Sequence, residues 1–220
     1  MQQTIQVKGM ILRVAPQGEY GRRLDMITDR LGRITAFAKG AGKVNSRIIG
    51  CARPFVCAEF TLMKGRTAWN LYSVKLIDGF SEFSFELGLE GLAYGNYVLE
   101  AGGAFAAPDM PEEEAKMLLN LMFVTLCAIR DKSLPFPVIK SIYELRLLKL
   151  SGEYSAYPGI AGSVEEQIWN KVLSCGLKSL YVLPEGTEDL SSFCFYAEKL
   201  FEKQVPQRFH SLQILHEPGL

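Results

Sequence analysis

Cationic and aromatic side chains share one face of a short segment in the N-terminal third of the chain. Between residues 33 and 39, strand alternation puts Arg33, Phe37 and Lys39 on one face and small apolar residues on the other. Lysine and arginine neutralise phosphates while an aromatic ring stacks on a base, so this face suits a single-stranded nucleic acid. The alternative is that Phe37 belongs to the core, as most strand aromatics do.

Further basic residues surround this segment in turns and loops. The glycine-containing stretch that follows it suits a phosphate backbone, although a solvated loop is the alternative interpretation. Other arginines lie at predicted strand ends or turns, which are candidates for the same binding surface. The nucleic-acid-binding candidates added in this way are Lys43, Arg47, Arg22, Arg23 and Arg66.

Catalytic chemistry is poorly supported. Gly42 and Lys43 resemble part of a phosphate-binding loop, but that motif needs a glycine and a hydroxyl residue where Phe37 and Val44 stand. Both histidines lie in the last eleven residues, and no two of the five cysteines form a Cys-x-x-Cys pair. We therefore expect no enzyme, no catalytic residue, no metal site and no cofactor. A nuclease or nucleotidyl transferase with an unrecognised metal site is the enzymatic alternative.

The segment 1–80 has the pattern of a small β-barrel. Five short β-type runs separated by turn signals suit a closed barrel such as the OB-fold. Gly9, inside the first run, predicts a bulge or bend there. The predicted strands are residues 5–14, 24–28, 33–39, 55–63 and 69–76.

From Ser81 onward the hydrophobic period becomes helical. Ser163 and Glu166 form a capping box, and Gly152 is placed to end a helix. The predicted helices are 83–107, 111–132, 138–150, 163–175 and 190–203, with a sixth allowed at 207–215. The predicted fold class is therefore α+β and multidomain, with a five-stranded OB-fold barrel at 1–80 and an all-helical bundle at 81–220.

Charge divides at the same boundary. The segment 1–80 holds 13 Lys and Arg against five Asp and Glu, and the rest of the chain holds 11 against 19. The whole chain is formally neutral, yet a basic first segment suits a polyanion. No apolar run approaches the roughly 18 residues that a membrane span needs, and the N-terminus lacks a secretory signal, so we expect a cytoplasmic protein.

Several segments together resemble the bacterial recombination mediator family RecO. The most specific is Leu31–Ala41, with its Gly-Arg-Ile and Ala-Lys-Gly-Ala elements. Residues 7–12, 53–55 and 143–148 extend the resemblance, and His210-Ser211-Leu212 is a weaker match. The order and spacing hold over nearly the whole chain.

This resemblance implies an OB-fold followed by a helical domain, and a function in DNA repair and recombination at the bacterial nucleoid. RecO-like proteins bind single- and double-stranded DNA, anneal complementary strands, and act with RecR and single-stranded-DNA-binding protein to place RecA on gaps. The alternative is an OB-fold module that binds RNA or a peptide and has no annealing activity.

The resemblance also implies a partner site in the helical domain, which in the family receives the acidic, apolar tail of single-stranded-DNA-binding protein. The candidate cationic rim consists of Arg130, Lys132, Lys140, Arg146 and Lys149, and ordinary surface solvation is its alternative. Many members also carry a four-cysteine zinc motif where this chain has a cysteine-free loop at about 152–162. We expect that loop to be held by its tyrosines or left mobile, without zinc.

Overall fold

A computed structural model describes residues 4–42, 48–184, 187 and 189–215 of the chain. Its first part consists of five strands, each of which overlaps one of the predicted runs. The strands are β1 (Thr4–Gln17), β2 (Gly21–Thr28), β3 (Gly32–Ala38), β4 (Cys57–Lys64) and β5 (Trp69–Asp78).

The five strands form a closed barrel in the order β1-β2-β3-β5-β4. All neighbours are antiparallel except β3 and β5, which run parallel where Ala36 pairs with Trp69 and Phe37 with Asn70. Closure leaves a filled interior, since small barrels pack side chains at their centre. The fully buried interior includes Leu24, Ala36 and Phe60. The predicted OB-fold barrel is confirmed.

β1 pairs with two strands, with β4 along its first half and with β2 along its second half. A bulge or bend was predicted at Gly9, but the pairing with β2 slips between Ile11 and Arg13, so the bulge lies there and not at Gly9. Gly9 instead allows two strands to approach closely: a Cβ at this position would lie 2.7 Å from the carbonyl oxygen of Ile27.

The chain after the barrel is helical, as predicted. Its helices are α1 (Glu82–Phe85), α2 (Gly88–Phe105), α3 (Glu112–Arg130), α4 (Phe136–Ser151), α5 (Val164–Ser174) and α6 (Ser191–Gln204). The predicted helix 83–107 is divided in two at Gly88, whose φ of 66° lies in the left-handed region. The sixth helix allowed at 207–215 is reduced to a 3₁₀ turn at Gln213–Leu215.

The helix ends follow the capping signals of the sequence. Ser163 Oγ accepts a hydrogen bond from the backbone N–H of Glu166 at 3.2 Å, which opens α5. Gly152, at a φ of 79°, donates its N–H to carbonyls of the last turn of α4. None of the described helices is long and apolar enough to cross a membrane.

The chain divides into two compact units. The barrel unit contains Met1–Ser81 together with Gly102–Leu119, and the helical unit contains Glu82–Ala101 and Asn120–Leu220. The end of α2 and the start of α3 therefore belong with the barrel. The predicted division into separate domains at residue 80 stays a prediction.

Candidate nucleic-acid interface

One row of side chains crosses the outer face of the barrel. Strand pairing aligns Arg23 on β2 with Phe37 on β3, and Phe37 with Asn70 on β5. The residues next to them along the strands, Leu24 and Ala36, are fully buried in the barrel, so alternation turns this row outward. The structure thus brings a cation and an aromatic ring side by side on one surface. Phe37 is half-buried and is not part of the fully buried core cluster.

A pocket of about 310 Å³ opens beside this row. Arg22 and Lys39 supply its positive charge, and Phe37 supplies an aromatic wall. The full lining is Gln17, Gly21, Arg22, Phe37, Ala38, Lys39 and Asn70. The pocket therefore combines phosphate-binding, stacking and amide groups in one place.

Backbone hydrogen bonds hold the loops at this end of the strands. The N–H of Gly42, after β3, donates to the carbonyl of Tyr20, in the β1–β2 turn, at 2.9 Å. Ala41, next to Gly42, is 1% exposed and packs with the barrel core. The two loops therefore form one rim, whose backbone is held by these internal contacts.

Four predicted cations lie at this rim or at the β4–β5 turn without a carboxylate partner among the described residues. Arg23, Lys39 and Arg66 are exposed, and Arg22 is half-buried. The β4–β5 turn carries Arg66 and is set beside β3, since Trp69 at its end pairs with Ala36. Unpaired cations are free to bind an anion without first breaking an internal contact.

Three side chains that the sequence pattern does not predict for the interface lie on the same outer face. Arg13 is exposed and pairs in register with Asp25 on β2, one row from Arg23. Tyr72 is 71% exposed on β5, and Asn70 joins the row itself. Only the strand register could have found them, because neither Arg13 nor Asn70 stands in a basic or aromatic cluster of the sequence.

Arg33 lies on the predicted face but is already occupied. Its guanidinium binds both carboxylate oxygens of Asp25, at 3.1 and 2.6 Å, and donates to the carbonyl of Gly103 at 2.8 Å. The hydrogen bond to Asp25 raises the pKa of Arg33. A side chain with three internal hydrogen bonds is placed to hold the barrel unit together. The candidates Lys43 and Arg47 lie outside the described residues.

Two of the five candidate cations in the helical unit bind the C-terminal end of α5. Arg146 donates to the carbonyls of Val172, at 3.0 Å, and Cys175, at 2.9 Å. Lys149 donates to the carbonyl of Leu173. Cations favour helix C-termini because the last carbonyls are unpaired and carry partial negative charge.

Lys140 belongs to a buried polar network. Its ammonium lies 3.0 Å from carboxylate oxygens of both Glu144 and Glu198, and the Tyr97 hydroxyl donates to Glu144. Burial alone would lower the pKa of Lys140, but the two carboxylates outweigh burial and raise it. Burial raises the pKa of Glu144, and Lys140 and Tyr97 oppose that shift. Lys140 is thus satisfied internally.

The remaining two candidates lie near the end of α3. Arg130 donates to the carboxylate of Asp131 at 3.0 Å. Lys132 is exposed and lines a groove of about 650 Å³ whose walls include the apolar Leu134 and Phe136 and the acidic Glu90. Of the five predicted cations, Lys132 alone has no salt bridge or side-chain hydrogen bond within the part of the chain that the structure describes.

Comparison with known proteins agrees with the barrel's architecture. Residues 1–80 match the family described as "Recombination protein O N terminal". Over residues 1–80 the chain is therefore similar to the RecO N-terminal family. The resemblance to RecO predicted from the residues is thereby confirmed.

Full-length relatives extend the similarity past the barrel. The chain is 31% identical over 160 residues to the DNA repair protein RecO of Exiguobacterium sibiricum, covering 72% of this chain and 62% of that protein. The RecO proteins of Alkaliphilus metalliredigens and Clostridium perfringens strain 13 are 27% and 28% identical, each over 67% of this chain and 58% of their own length. The match therefore spans less than two thirds of these RecO proteins.

The cysteine-free loop at 152–162 is held by aromatic contacts. The ring of Tyr157 packs on Trp169 with centroids 5.3 Å apart and on Tyr196 at 5.5 Å. The indole N–H of Trp169 donates to the carbonyl of Ser155 at 2.9 Å. Tyr154, by contrast, is 51% exposed, so one of the loop's tyrosines anchors it at this cluster. The described residues contain no group of three His, Cys, Asp or Glu side chains able to hold a metal.

Proposed function

We propose that this chain is a non-catalytic DNA-binding recombination mediator. In this proposal the barrel binds single- and double-stranded DNA and anneals complementary strands. The helical unit engages RecR and single-stranded-DNA-binding protein, and together they help to place RecA on coated single strands during recombinational repair. The similarity to proteins named DNA repair protein RecO supports this assignment.

The observation that carries the proposal is the set of unpaired cations around Phe37. Arg22, Arg23 and Lys39 lie close to an outward aromatic ring, and no described carboxylate neutralises them. Cations that follow a backbone, together with a ring that stacks a base, are what single-strand-binding proteins use. The basic balance of the segment 1–80 supports the same ligand.

The proposed mechanism is electrostatic. Two complementary strands repel each other through their phosphates, and a basic surface that neutralises phosphates on both lowers this repulsion. Each phosphate neutralised releases counterions, so the affinity for a single strand falls with a slope of about −0.7 per contact in log affinity against log salt. Binding and annealing should therefore both weaken steeply as salt rises.

We propose the groove beside Lys132 as the site for the acidic, apolar tail of single-stranded-DNA-binding protein. A receptor for such a tail needs an apolar groove with a cation at its rim. Leu134 and Phe136 supply apolar walls, and the exposed ammonium of Lys132 is available to the tail's carboxylates. Lys140, Arg146 and Lys149 are engaged in internal contacts, so we propose that they support this site only through the stability of the helices.

Annealing on coated strands tests this function. Two complementary labelled oligonucleotides are covered with single-stranded-DNA-binding protein, and duplex formation is followed with the intact chain and with a variant carrying Arg22→Ala, Arg23→Ala and Lys39→Ala. The matched control replaces three exposed lysines elsewhere, Lys116, Lys178 and Lys203, by alanine. We expect annealing by the intact chain and the control, and loss of annealing in the rim variant.

The alternatives give different results in the same assay. If the chain is an OB-fold module for RNA or peptides, the intact chain does not anneal the strands. Absence of annealing would therefore favour that alternative. A nuclease or nucleotidyl transferase would shorten or extend the labelled strands when magnesium is added. Equal annealing by the rim variant and the control would reject the proposed DNA surface.

A further inference from the structure

We infer that the pocket beside Phe37 receives a single unstacked nucleobase, whose edge is read by the amides of Gln17 and Asn70. This inference rests on the proposed function and adds a ligand class to one part of the DNA-binding face. It also adds something that cations and one aromatic ring do not supply, namely a dependence on base identity.

The size of the pocket limits its occupant. At about 310 Å³ it stands at the lower end of the range of small-ligand pockets, roughly 300 to 1,000 Å³. Phe37 provides a wall on which a planar ring stacks, and Gly21 and Ala38 keep the remaining space clear. A Cβ on Gly21 would lie 2.3 Å from the carbonyl oxygen of Gln17, so this position accepts no side chain without a shift of the strand.

The amides have the chemistry that base edges require. A side-chain amide carries two donors and an acceptor, whereas arginine and lysine only donate. Within the described residues, neither the Gln17 nor the Asn70 amide has a side-chain hydrogen-bond partner, so both remain available in the pocket. Unstacked bases in single strands are recognised in this way, by a ring stacked on one face and amides on the edge.

Arg22 and Lys39 complete the site from the same lining. Each nucleotide brings a phosphate with its base, and these two cations are placed to bind that phosphate while the base enters the pocket. The predicted division of labour is that the cations set affinity for any strand, and the amides set preference among bases.

The pocket also distinguishes the substrate of annealing from its product. In a duplex each base is stacked and paired, so it must be flipped out at an energetic cost before it can enter. A single strand has no pairing to break. The duplex product therefore contacts the cations but does not fill the pocket. This favours release of the duplex once annealing is complete.

The test measures base preference in the full-length chain. Binding of homopolymeric oligonucleotides of dT, dC and dA, about 15 nucleotides long, is followed by fluorescence anisotropy at fixed salt. The variants are Gln17→Ala and Asn70→Ala, and the matched control is Gln6→Ala, which removes an exposed amide of β1 outside the pocket. We expect the intact chain and the control to prefer one base by roughly fivefold or more, and both pocket variants to lose that preference.

Two other results separate the inference from the proposed function. If all homopolymers bind equally, or the pocket variants keep the preference, the base pocket is overturned, while salt-dependent binding leaves the DNA-binding function intact. If the intact chain binds no single strand at low salt, the proposed function itself fails, and the pocket with it.

Discussion

The cations of the barrel rim and those of the helical unit look alike in the sequence but have opposite surroundings. At the rim, Arg22, Arg23 and Lys39 have no carboxylate partner among the described residues. In the helical unit, Lys140 is paired with two glutamates, and Arg146 holds carbonyls at the end of α5. A basic residue therefore indicates a ligand only when the fold leaves its charge unpaired.

Arg33 shows that this contrast runs through the barrel unit as well. It shares a strand face with Phe37, yet its guanidinium is bound by Asp25 and the carbonyl of Gly103. Position on the correct face is therefore insufficient evidence for a nucleic-acid contact. The comparison predicts two classes of variant, one that changes stability and one that changes DNA affinity.

The largest effect on stability is expected at Lys140. Lys140→Met leaves Glu144, whose side chain is 1% exposed, without its cationic partner. Breaking a buried pair in this way costs about 3 kcal/mol of unfolding free energy. Denaturant unfolding measures the loss, with Lys199→Met as the control, because its pair with Glu202 is exposed to solvent and contributes little to stability. Equal losses of unfolding free energy in Lys140→Met and Lys199→Met would contradict a structural role for the buried Lys140.

Arg146→Ala is expected to have the next largest effect. It removes the donor to two carbonyls at the C-terminal end of α5, and hydrogen bonds from a charged group are each worth about 1.5 kcal/mol or more. Both bonds come from the same Nη1 of a half-buried side chain, so their contributions do not simply add. We expect a loss of about 2 kcal/mol in the free energy of unfolding, with DNA affinity unchanged. Arg66→Ala, at an exposed turn, is the reference and should change stability by less than about 0.5 kcal/mol. A drop in DNA affinity for Arg146→Ala alone would assign it to the interface.

Arg33 and Arg23 provide the sharpest comparison within the barrel. Arg33→Ala should cost about 1 kcal/mol of stability, a figure reduced because the side chain is 36% exposed, and should leave the salt dependence of DNA binding unchanged. Arg23→Ala should leave stability unchanged and make the salt dependence of DNA binding shallower. Parallel thermal unfolding and binding titrations of the two variants check this, and the opposite pattern would place Arg33 in the interface.

The smallest effect concerns pH and the start of α6. Asp189 accepts a hydrogen bond from the N–H of Ser191 at 2.8 Å, and this bond lowers the pKa of Asp189. Because the folded pKa is below the unfolded one, the contribution is present above the unfolded pKa of about 3.9 and is lost as pH falls through the folded pKa. Asp189→Ala should therefore lower Tm slightly at neutral pH and not at strongly acidic pH. Glu153→Ala, at an exposed loop position, controls for removal of a carboxylate, and a pH-independent effect of Asp189→Ala would contradict the assignment.

The cysteine-free loop at 152–162 offers a separate check on the helical unit. Tyr157→Ala should free the loop from Trp169 and shift the fluorescence of that indole, since ring and indole are in direct contact. Tyr154→Ala, at an exposed tyrosine of the same loop, should leave the fluorescence unchanged. We expect a chelator to leave Tm unaltered. A lower Tm with chelator would show that a metal contributes to this region after all.

Much of the fold follows from local pattern. Period-two alternation predicts the outward position of Phe37. A glycine that can adopt the left-handed backbone conformation predicts the end of α4 at Gly152. Both features depend only on neighbours within a few residues. The segment 83–107 has the pattern of one continuous helix, since its apolar period continues across Gly88, where only the backbone conformation divides it.

The rest depends on contacts that no local pattern contains. Arg33 meets Gly103 across 70 residues, and Arg146 meets Val172 across 26, so their occupation is invisible in the sequence. The parallel pairing of β3 with β5 brings Asn70 beside Phe37 and creates the pocket. Long-range register of this kind is decided by closure of the barrel and not by the residues of either strand alone.

The most direct test of the proposed DNA surface is the salt dependence of single-strand binding. Affinity for a labelled oligonucleotide is measured across a salt series for the intact chain, for the Arg22→Ala, Arg23→Ala, Lys39→Ala variant, and for the Lys116→Ala, Lys178→Ala, Lys203→Ala control of equal charge. We predict that the slope of log affinity against log salt becomes shallower by about 2 in the rim variant, at about 0.7 per contact, and is unchanged in the control. Equal slopes in the rim variant and the intact chain would contradict this surface as the DNA-binding site.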